Sequence, residues 1–195
     1  MRESRVITKV FGTLSDSRLL VPVPTTPGHP QQRLHILAAQ AFIKMSEAAQ
    51  KDLGFPLLCA SGWRPHRWDS WEQYVSFVTK KYGSLKEGQK WLAFDSPHET
   101  GLACDMGCGG LEPKKATIPQ QLKTPLYKWL DQNEYLYGWS DYSREPWHKE
   151  YNIPLANYKS GMLSTIDALN DNLGPYYTDP CDDFMCVEAP DDKSE

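Results

Sequence analysis

The sequence predicts an α+β protein organised around one domain. Amphipathic stretches with the three- and four-residue spacing of helices alternate with short apolar runs that lack helical length. A chain of 195 residues is long enough to bury a hydrophobic core without support from disulfides. No apolar run approaches the roughly 20 residues that cross a bilayer, so we expect no membrane span.

Four stretches carry the helical pattern, and two of them have clear end signals. Gly54 follows the first stretch as a stop, whereas Ser70 is placed to cap the second and Gly83 to end it. The helices are predicted over residues 33–52, 70–81, 120–133 and 160–172. Strands are predicted from short apolar runs over residues 55–61, 92–95, 101–107 and 147–151.

The two ends of the chain differ in composition from its middle. Residues 1–32 contain four closely spaced prolines and no helical period, so we expect an irregular arm that lies across the domain. Residues 179–195 contain seven acidic side chains and one lysine, with too few apolar residues to fold alone. The predicted organisation is therefore an arm over 1–32, a folded domain over 33–178 and an acidic tail over 179–195.

The net charge of −4 comes from this tail, and the rest of the chain is close to neutral. That balance excludes the salt-sensitive, phosphate-neutralising type of nucleic-acid binding. The N-terminus has charges but no apolar segment before a small-residue cleavage site, so we expect no secretory signal. We expect a monomer that binds no nucleic acid.

The chain has five cysteines, an odd number. Cys59 and Cys104 lie inside apolar runs and are predicted to be buried structural thiols. A zinc-thiolate site that includes Cys104 and Cys108 is a weaker alternative, because no second Cys-x-x-Cys pair accompanies them. Whether Cys181 and Cys186 close a small loop is left open by the sequence.

Two histidines and an aspartate have the composition of a catalytic zinc site. His98 and Asp105 are seven residues apart with a glycine between them, and His148 follows later in the chain. Two neutral imidazoles and one carboxylate form a common zinc ligand set, because they leave the fourth tetrahedral position open for water. Glu145, three residues before His148, is the candidate base for that water.

The alternative interpretation of each residue is structural, since a single histidine is more often on the surface or hydrogen-bonded in the core than a metal ligand. We therefore assign no function to the remaining histidines, His29, His35 and His66. Glu99 and Glu150 are expected to face solvent or to lie behind the metal ligands.

Several motifs resemble, in order, the zinc D-Ala-D-Ala carboxypeptidase and dipeptidase family (VanY-like), which includes phage L-alanyl-D-glutamate endopeptidases. Residues 96–105 match the family pattern Ser-x-His-x-x-Gly-x-Ala-x-Asp at every fixed position. The other matching segments are Ser61-Gly62-Trp63-Arg64, Trp129-Leu130, Tyr137-Gly138-Trp139 and Glu145-Pro146-Trp147-His148. The similarity extends from about residue 33 to 151.

The resemblance implies a fold and a metal site. The fold would be a small, mainly antiparallel sheet that carries the metal ligands, with helices on its flank, as in these peptidases and the hedgehog signalling domain. One Zn²⁺ per chain would be bound by His98, Asp105 and His148, with Glu145 as general base and acid.

The resemblance also implies a role for the arginine of the first motif. Arg64 would lie over the metal site and stabilise an oxyanion or orient a substrate carboxylate, and Ser96 would contact the substrate. The chain departs from the family pattern immediately afterwards, because Pro65-His66-Arg67-Trp68 replaces the usual Ser-Tyr-x-x-Gln continuation and Gln73 comes several residues late. Substrate selection is therefore not predicted by the motifs.

The function implied is that of a zinc metallopeptidase that hydrolyses D-amino-acid-containing bonds in peptidoglycan stem peptides or precursors. Carboxypeptidase, dipeptidase and endolysin-type L-Ala-D-Glu endopeptidase action depend on how loops over 1–32 and 106–118 close the cleft, and the sequence does not separate them. The alternatives are a non-enzymatic zinc-binding interaction domain and a phage structural component. The expected location is the cytoplasm, or the cell wall after delivery by a phage.

Overall fold

The computed structural model describes residues 8–106 and 111–163. The helices are α1 (Thr8–Phe11), α2 (Ile36–Leu53), α3 (Trp71–Tyr82), α4 (Leu85–Gly88), α5 (Ile118–Gln121), α6 (Pro125–Asn133) and α7 (Leu155–Ser160). The strands are β1 (Leu20–Pro22), β2 (Arg33–His35), β3 (Cys59–Ser61), β4 (Ala103–Met106), β5 (Trp139–Asp141) and β6 (His148–Tyr151). The described chain is thus α+β, as predicted.

The main sheet has four strands in the order β3-β4-β6-β5, and every neighbouring pair is antiparallel. The central pair, β4 and β6, is in a register that places Asp105 opposite His148. Residues opposite each other in an antiparallel pair bring their side chains together on one face of the sheet. The expectation of a small antiparallel sheet is confirmed, and its central register fixes part of the candidate site.

Helix α2 provides most of the helical surface of the core. It begins after His35, whose Nδ1 accepts a hydrogen bond from the Leu37 backbone, and it ends at Gly54 in the left-handed conformation with φ of 82°. Its inward face includes Phe42 and Met45, which are fully buried. Burial of such side chains contributes roughly 1.5–3 kcal/mol each, so this face is a main source of stability.

A second, smaller hydrophobic cluster forms within the segment of chain that connects β3 to β4. Trp68, Tyr74 and Val78 are its buried members, and Phe94 packs against them. The hydroxyl of Tyr74 donates a 2.6 Å hydrogen bond to the carbonyl of Leu92. This cluster packs α3 against the segment of residues 85–94.

Several expectations about individual segments need correction. Residues 92–95 form no strand, because Leu92 and Phe94 pack in the second cluster rather than pairing with the sheet. The helix predicted over 120–133 is interrupted between α5 and α6. Leu122, which the apolar spacing of that helix predicts to face inward, is exposed. A last helix is predicted over 160–172, but helix α7 spans Leu155–Ser160 and residues 161–163 are not helical. Residues 164–172 lie outside the described part.

The stretch expected to be an irregular arm is partly regular. Strand β1 pairs with β2, and the arm buries Leu14, Leu20 and Val23 in the main core. Proline is tolerated here because β1 is an edge strand, where Pro22 need not donate to a ladder. The predicted acidic tail over 179–195 lies outside the described residues.

A buried lysine lies on the other side of β6 from the candidate site. Lys149 is fully buried, and its Nζ lies 2.6 Å from Asp141 and 2.8 Å from Glu134. Burial raises the pKa of the Glu134 carboxyl to about 7, against the opposing effect of the lysine. This charge cluster joins β5, β6 and the 3-10 turn that follows α6.

Among residues 8–106 and 111–163, no helix combines the length and the hydrophobicity that a membrane crossing requires.

Candidate metal centre

His98 is held by a 3-10 turn that ends at Gly101. A side chain at Gly101 would be strained twice, since its φ is 73° and an added Cβ would lie 2.9 Å from the backbone nitrogen of His35. The Nδ1–H of His98 donates a 2.8 Å hydrogen bond to the carbonyl of Gly62. Because a carbonyl only accepts, this contact assigns the proton to Nδ1 and leaves the Nε2 lone pair free.

The Gly62 carbonyl is itself fixed in place by a close backbone approach. An added Cβ at Gly62 would lie 2.5 Å from the carbonyl oxygen of Arg33, so only glycine fits beside β2. The next residue, Trp63, donates its backbone N–H to the same oxygen. The Ser-Gly-Trp-Arg turn thus orients His98 through its glycine.

Asp105 and His148 meet across the β4–β6 pair. The Oδ1 atom of Asp105 lies 3.0 Å from Nδ1 of His148 and 3.3 Å from Nε2 of His98. The other imidazole nitrogen of His148, Nε2, lies 3.0 Å from Oε1 of Glu150. His98 therefore presents its Nε2, and His148 its Nδ1, to the same Asp105 carboxylate.

This arrangement fits a metal ion. One ligand atom from each of His98, Asp105 and His148 lies within 4.8 Å of the other two. Two atoms that each lie roughly 2.0–2.2 Å from a tetrahedral zinc are separated by about 3.3 Å, which is close to the observed carboxylate–imidazole distances. The set also leaves a fourth position for water, as catalytic zinc sites do.

The electrostatics of the three side chains show strong coupling. Burial alone would raise the pKa of the Asp105 carboxyl, but the imidazoles of His98 and His148 outweigh it and hold that pKa well below its usual range. Burial lowers the pKa of His98. Burial would also lower the pKa of His148, yet its hydrogen bonds to Asp105 and Glu150 raise that pKa to about 10. The carboxylates of Asp105 and Glu150 thus stabilise a positive charge at this site.

Glu145, Arg64 and Ser96 line the same cleft as the three candidate ligands. Burial raises the pKa of the Glu145 carboxyl to about 7, and the charges of His148, Asp105 and Arg64 also act on it. No ion pair joins the Arg64 guanidinium to a carboxylate in the part of the chain that the structure describes. The structure therefore brings together all six residues singled out from the sequence, and their individual roles remain predictions.

Glu99 is fully inside rather than facing solvent. Its carboxylate accepts hydrogen bonds from the Thr13 hydroxyl and the Ser96 backbone, and His66 lies 2.9 Å from it. Together these contacts tie the N-terminal arm and the residue-66 loop to the turn that carries His98. Glu99 is thus a positioning residue of the turn, not a member of the metal cluster.

The prediction of buried thiols is confirmed for two cysteines. Cys59 and Cys104 are fully buried, and their Sγ atoms lie 3.1 Å apart on neighbouring strands. Neither belongs to the His-Asp-His cluster. Cys108, Cys181 and Cys186 lie outside the described residues.

Glu150 lies behind His148, which is one of the two positions expected for it. Its contact with His148 follows from the β-strand alternation, which puts residues two apart on one face. The aromatic lining of the cleft was not predicted: Trp71 lines it, and Tyr74 both lines it and is buried in the second hydrophobic cluster. The density of aromatic residues between 63 and 94 was the available signal.

Comparison with known proteins agrees with the motifs. Among curated proteins, none matches the chain significantly. The solved vancomycin-resistance D,D-pentapeptidase VanY, from a VanB-type resistance cassette and in complex with Zn(II), is 21% identical over 71% of this chain and 86% of its own, with a TM-score of 0.44. VanYB in complex with D-alanine-D-alanine is 23% identical over 76% of this chain and 92% of its own, with a TM-score of 0.43. DacB from Streptococcus pneumoniae is 23% identical over 78% of this chain and 83% of its own, with a TM-score of 0.36.

These structural similarities are weak, so the family assignment depends on the match between this sequence and a family model. The family model described as VanY, D-alanyl-D-alanine carboxypeptidase, matches residues 31–154. That match includes the turns that carry Arg64 and His98 and all three candidate metal ligands, and it covers well over half of the chain. The chain belongs to the VanY D-alanyl-D-alanine carboxypeptidase family.

Proposed function

We propose that this protein is a zinc-dependent carboxypeptidase that removes a C-terminal D-amino acid from peptidoglycan stem peptides or their precursors. The observation that carries the proposal is the cluster of His98, Asp105 and His148 in one cleft, with Glu145 and Arg64 beside it. A D-Ala-D-Ala-type peptide is the proposed substrate. The VanYB complex with D-alanine-D-alanine supports this choice by family membership.

The proposed division of roles follows from the geometry. His98, Asp105 and His148 would hold one Zn²⁺ per chain, which polarises a carbonyl and activates water near neutral pH. Glu145 would take a proton from that water and deliver it to the leaving amine. Burial raises the pKa of this carboxyl to about 7 without metal, which makes it a stronger base than an exposed glutamate. The charge of a bound zinc would lower that pKa again.

Arg64 is proposed to act on negative charge in the cleft. Its guanidinium is exposed and has no carboxylate partner among the described ion pairs, so its hydrogen-bond donors are available. A fixed cation stabilises the carbonyl oxygen as it becomes negative, or it holds the C-terminal carboxylate of the substrate. Ser96 is proposed to contact the substrate from the same turn as His98.

The competing candidate from another class is a zinc-binding interaction domain without catalysis. The presence of Glu145 and Arg64 beside the candidate metal ligands favours the enzyme. The number of ligands also favours it, because a purely structural zinc site is closed by four protein ligands and this cluster has three. An L-Ala-D-Glu endopeptidase of the endolysin type remains a second catalytic candidate. We further propose action in the cytoplasm, or at the cell wall if a phage delivers the protein.

Digestion of purified muropeptides followed by mass spectrometry tests this function. The expected product is a stem peptide shortened by one C-terminal D-alanine, formed only with zinc present and absent with Glu145→Ala. A cut between L-alanine and D-glutamate would instead identify the endopeptidase. The absence of any hydrolysis by the zinc-loaded protein would favour the interaction domain.

A further inference from the structure

The cleft is larger than the metal centre requires. Its volume is about 1040 Å³, which is at the upper end of the roughly 300–1,000 Å³ typical of whole small-molecule sites. His98, Asp105 and His148 are three of the residues that line the cleft. Most of the other lining residues come from the segment between residues 67 and 95, which we call the aromatic arm of the cleft and which includes Trp68, Trp71, Tyr74, Tyr82, Trp91 and Phe94.

The aromatic arm carries an excess of positive charge. Arg67, Lys81 and Lys90 line it, whereas Asp95 is the one acidic side chain that this segment contributes to the described lining. Lys90 is already paired with Glu87 at 2.6 Å. Neither Arg67 nor Lys81 forms an ion pair with a carboxylate in the described residues, so two cations of the arm lack a counterion from the protein.

Both cations are held on aromatic faces instead. The Arg67 guanidinium lies 4.7 Å from the Trp68 ring centre and 5.0 Å from that of Phe77. The Lys81 ammonium lies 5.8 Å from the Phe77 ring centre and 5.1 Å from that of Tyr82. Stacking on a ring restricts the stem of the side chain but leaves the N–H donors at its rim free for an anion. The two side chains are therefore pre-oriented without being neutralised.

The proposed reaction determines which part of a substrate reaches this arm. A carboxypeptidase holds only one residue on the C-terminal side of the cleaved bond, so most of a cleft of this volume is available to the N-terminal side of the peptide. Peptide groups and aliphatic stems can pack on the aromatic rings, and carboxylates are the complementary partners of Arg67 and Lys81. The ligand that fits is an acidic peptide.

We propose that Arg67 and Lys81 bind a free carboxylate on the N-terminal side of the cleaved bond, so that the protein selects acidic peptides over their amidated counterparts. This inference rests on the proposed function for the direction in which the peptide lies. It assigns substrate selection to the segment in which the chain departs from the motif pattern of its family, at Pro65-His66-Arg67-Trp68.

Two synthetic peptides test the inference. Both are N-acetylated pentapeptides that end in D-Ala-D-Ala, and they differ only in carrying glutamate or glutamine on the N-terminal side. At low ionic strength the zinc-loaded protein is expected to show a kcat/KM roughly fivefold higher for the acidic peptide, the scale of exposed charge pairs. The preference should decrease with added salt, because exposed charges are screened.

Variants connect that preference to the two residues. The double variant Arg67→Gln/Lys81→Gln is expected to reduce the acid-to-amide ratio to about one, whereas Lys80→Gln, an exposed neighbour outside the cleft lining, should keep it. Comparing two peptides within each variant cancels differences in the folded fraction. An equal kcat/KM for both peptides in the original protein, or a preference that survives the double variant, would overturn the inference.

A binding measurement separates this inference from the proposed function. Calorimetric titration of the Glu145→Ala protein with each peptide reports recognition without hydrolysis. If the original protein cleaves neither peptide, the proposed function fails, and calorimetry then decides the inference. Tighter binding of the acidic peptide that the double variant loses supports the role of Arg67 and Lys81, and equal binding of the two peptides contradicts it.

Discussion

Oε1 of Glu150 lies 3.0 Å from Nε2 of His148, on the other side of the imidazole from Asp105. A carboxylate in this position accepts the Nε2–H, so that Nδ1 would direct its lone pair toward a bound metal ion. His98 is oriented in the opposite sense, since its Nδ1 donates to the Gly62 carbonyl. The choice of coordinating nitrogen in each histidine is thus set by a different kind of acceptor.

The first prediction concerns this contact. Glu150→Gln removes the charge behind His148, and we expect zinc affinity to fall by about 10- to 100-fold, the usual effect of losing such an outer partner. Competition with a chelator at constant pH measures the affinity. Glu47→Gln, on the exposed face of α2, is the matched control and should bind zinc normally. An unchanged affinity in Glu150→Gln would show that the contact does not support the metal site.

The second prediction is that each chain binds one zinc ion at the His-Asp-His cluster. His98→Ala and His148→Ala should each lose stoichiometric zinc by elemental analysis, while His29→Ala, whose Nδ1 contacts a backbone carbonyl outside the site, should retain it. Zinc at 100 times its dissociation constant should stabilise the original protein by about 2.7 kcal/mol. Zinc retained in both histidine variants would place the metal elsewhere.

The third prediction concerns Glu145 and pH. As a base it must be deprotonated, so kcat/KM should rise with pH as the carboxyl ionises. Its pKa is about 7 without metal, and the positive charge of zinc lowers it. The rising limb should therefore lie at or below pH 7.

The variant Glu145→Ala supplies the matching test. We expect zinc to stay bound and the rate to fall by about 10² to 10⁴, the typical contribution of a positioned proton-transfer group. The rising limb of the pH profile should disappear with it. Near-normal turnover would remove Glu145 from the mechanism and favour the interaction domain.

The fourth prediction is that Arg64 acts in the transition state. Arg64→Lys keeps the charge but loses the planar fork. If Arg64 stabilises an oxyanion, kcat and kcat/KM should fall together, by an amount that corresponds to about 2–4 kcal/mol of activation free energy. Steady-state kinetics on a D-Ala-D-Ala peptide measure both constants. A rise in KM alone would mean that Arg64 holds a substrate carboxylate in ground and transition states alike. A lower thermal stability with normal activity per folded molecule would make it a structural residue.

The fifth prediction concerns the buried charges on the opposite side of β6. Lys149→Met would leave Asp141 and Glu134 without their cation, and we expect the free energy of unfolding to fall by about 3–5 kcal/mol. Denaturant titration by circular dichroism measures this loss. Lys80→Met, on the exposed side of α3, should change stability by less than about 0.5 kcal/mol. A similar small effect in Lys149→Met would mean that the charges are not coupled in the folded protein.

Features that depend on neighbours in the sequence were predictable. Helix α3 follows from the apolar spacing that begins at Trp71, the Ser70 cap and the stop at Gly83, because each signal acts within a few residues. Helix α6 starts later than predicted because Thr124 accepts from the Tyr127 backbone and Pro125 at the first helical position has no N–H to continue α5. The Thr124-Pro125 signal is present in the sequence, but the helix predicted over 120–133 runs through it.

The three candidate metal ligands were also recognisable from the sequence, because their residue types and the glycine between His98 and Asp105 are required by the chemistry itself. Their mutual distances, the contact of Glu150 with His148 and the burial of Lys149 were decided by the register of β4, β5 and β6. Arg67 and Lys81 line the cleft in a segment that the cluster of Trp68, Tyr74 and Val78 holds together. Such contacts join residues far apart in the chain, and their energies depend on packing that no local pattern encodes.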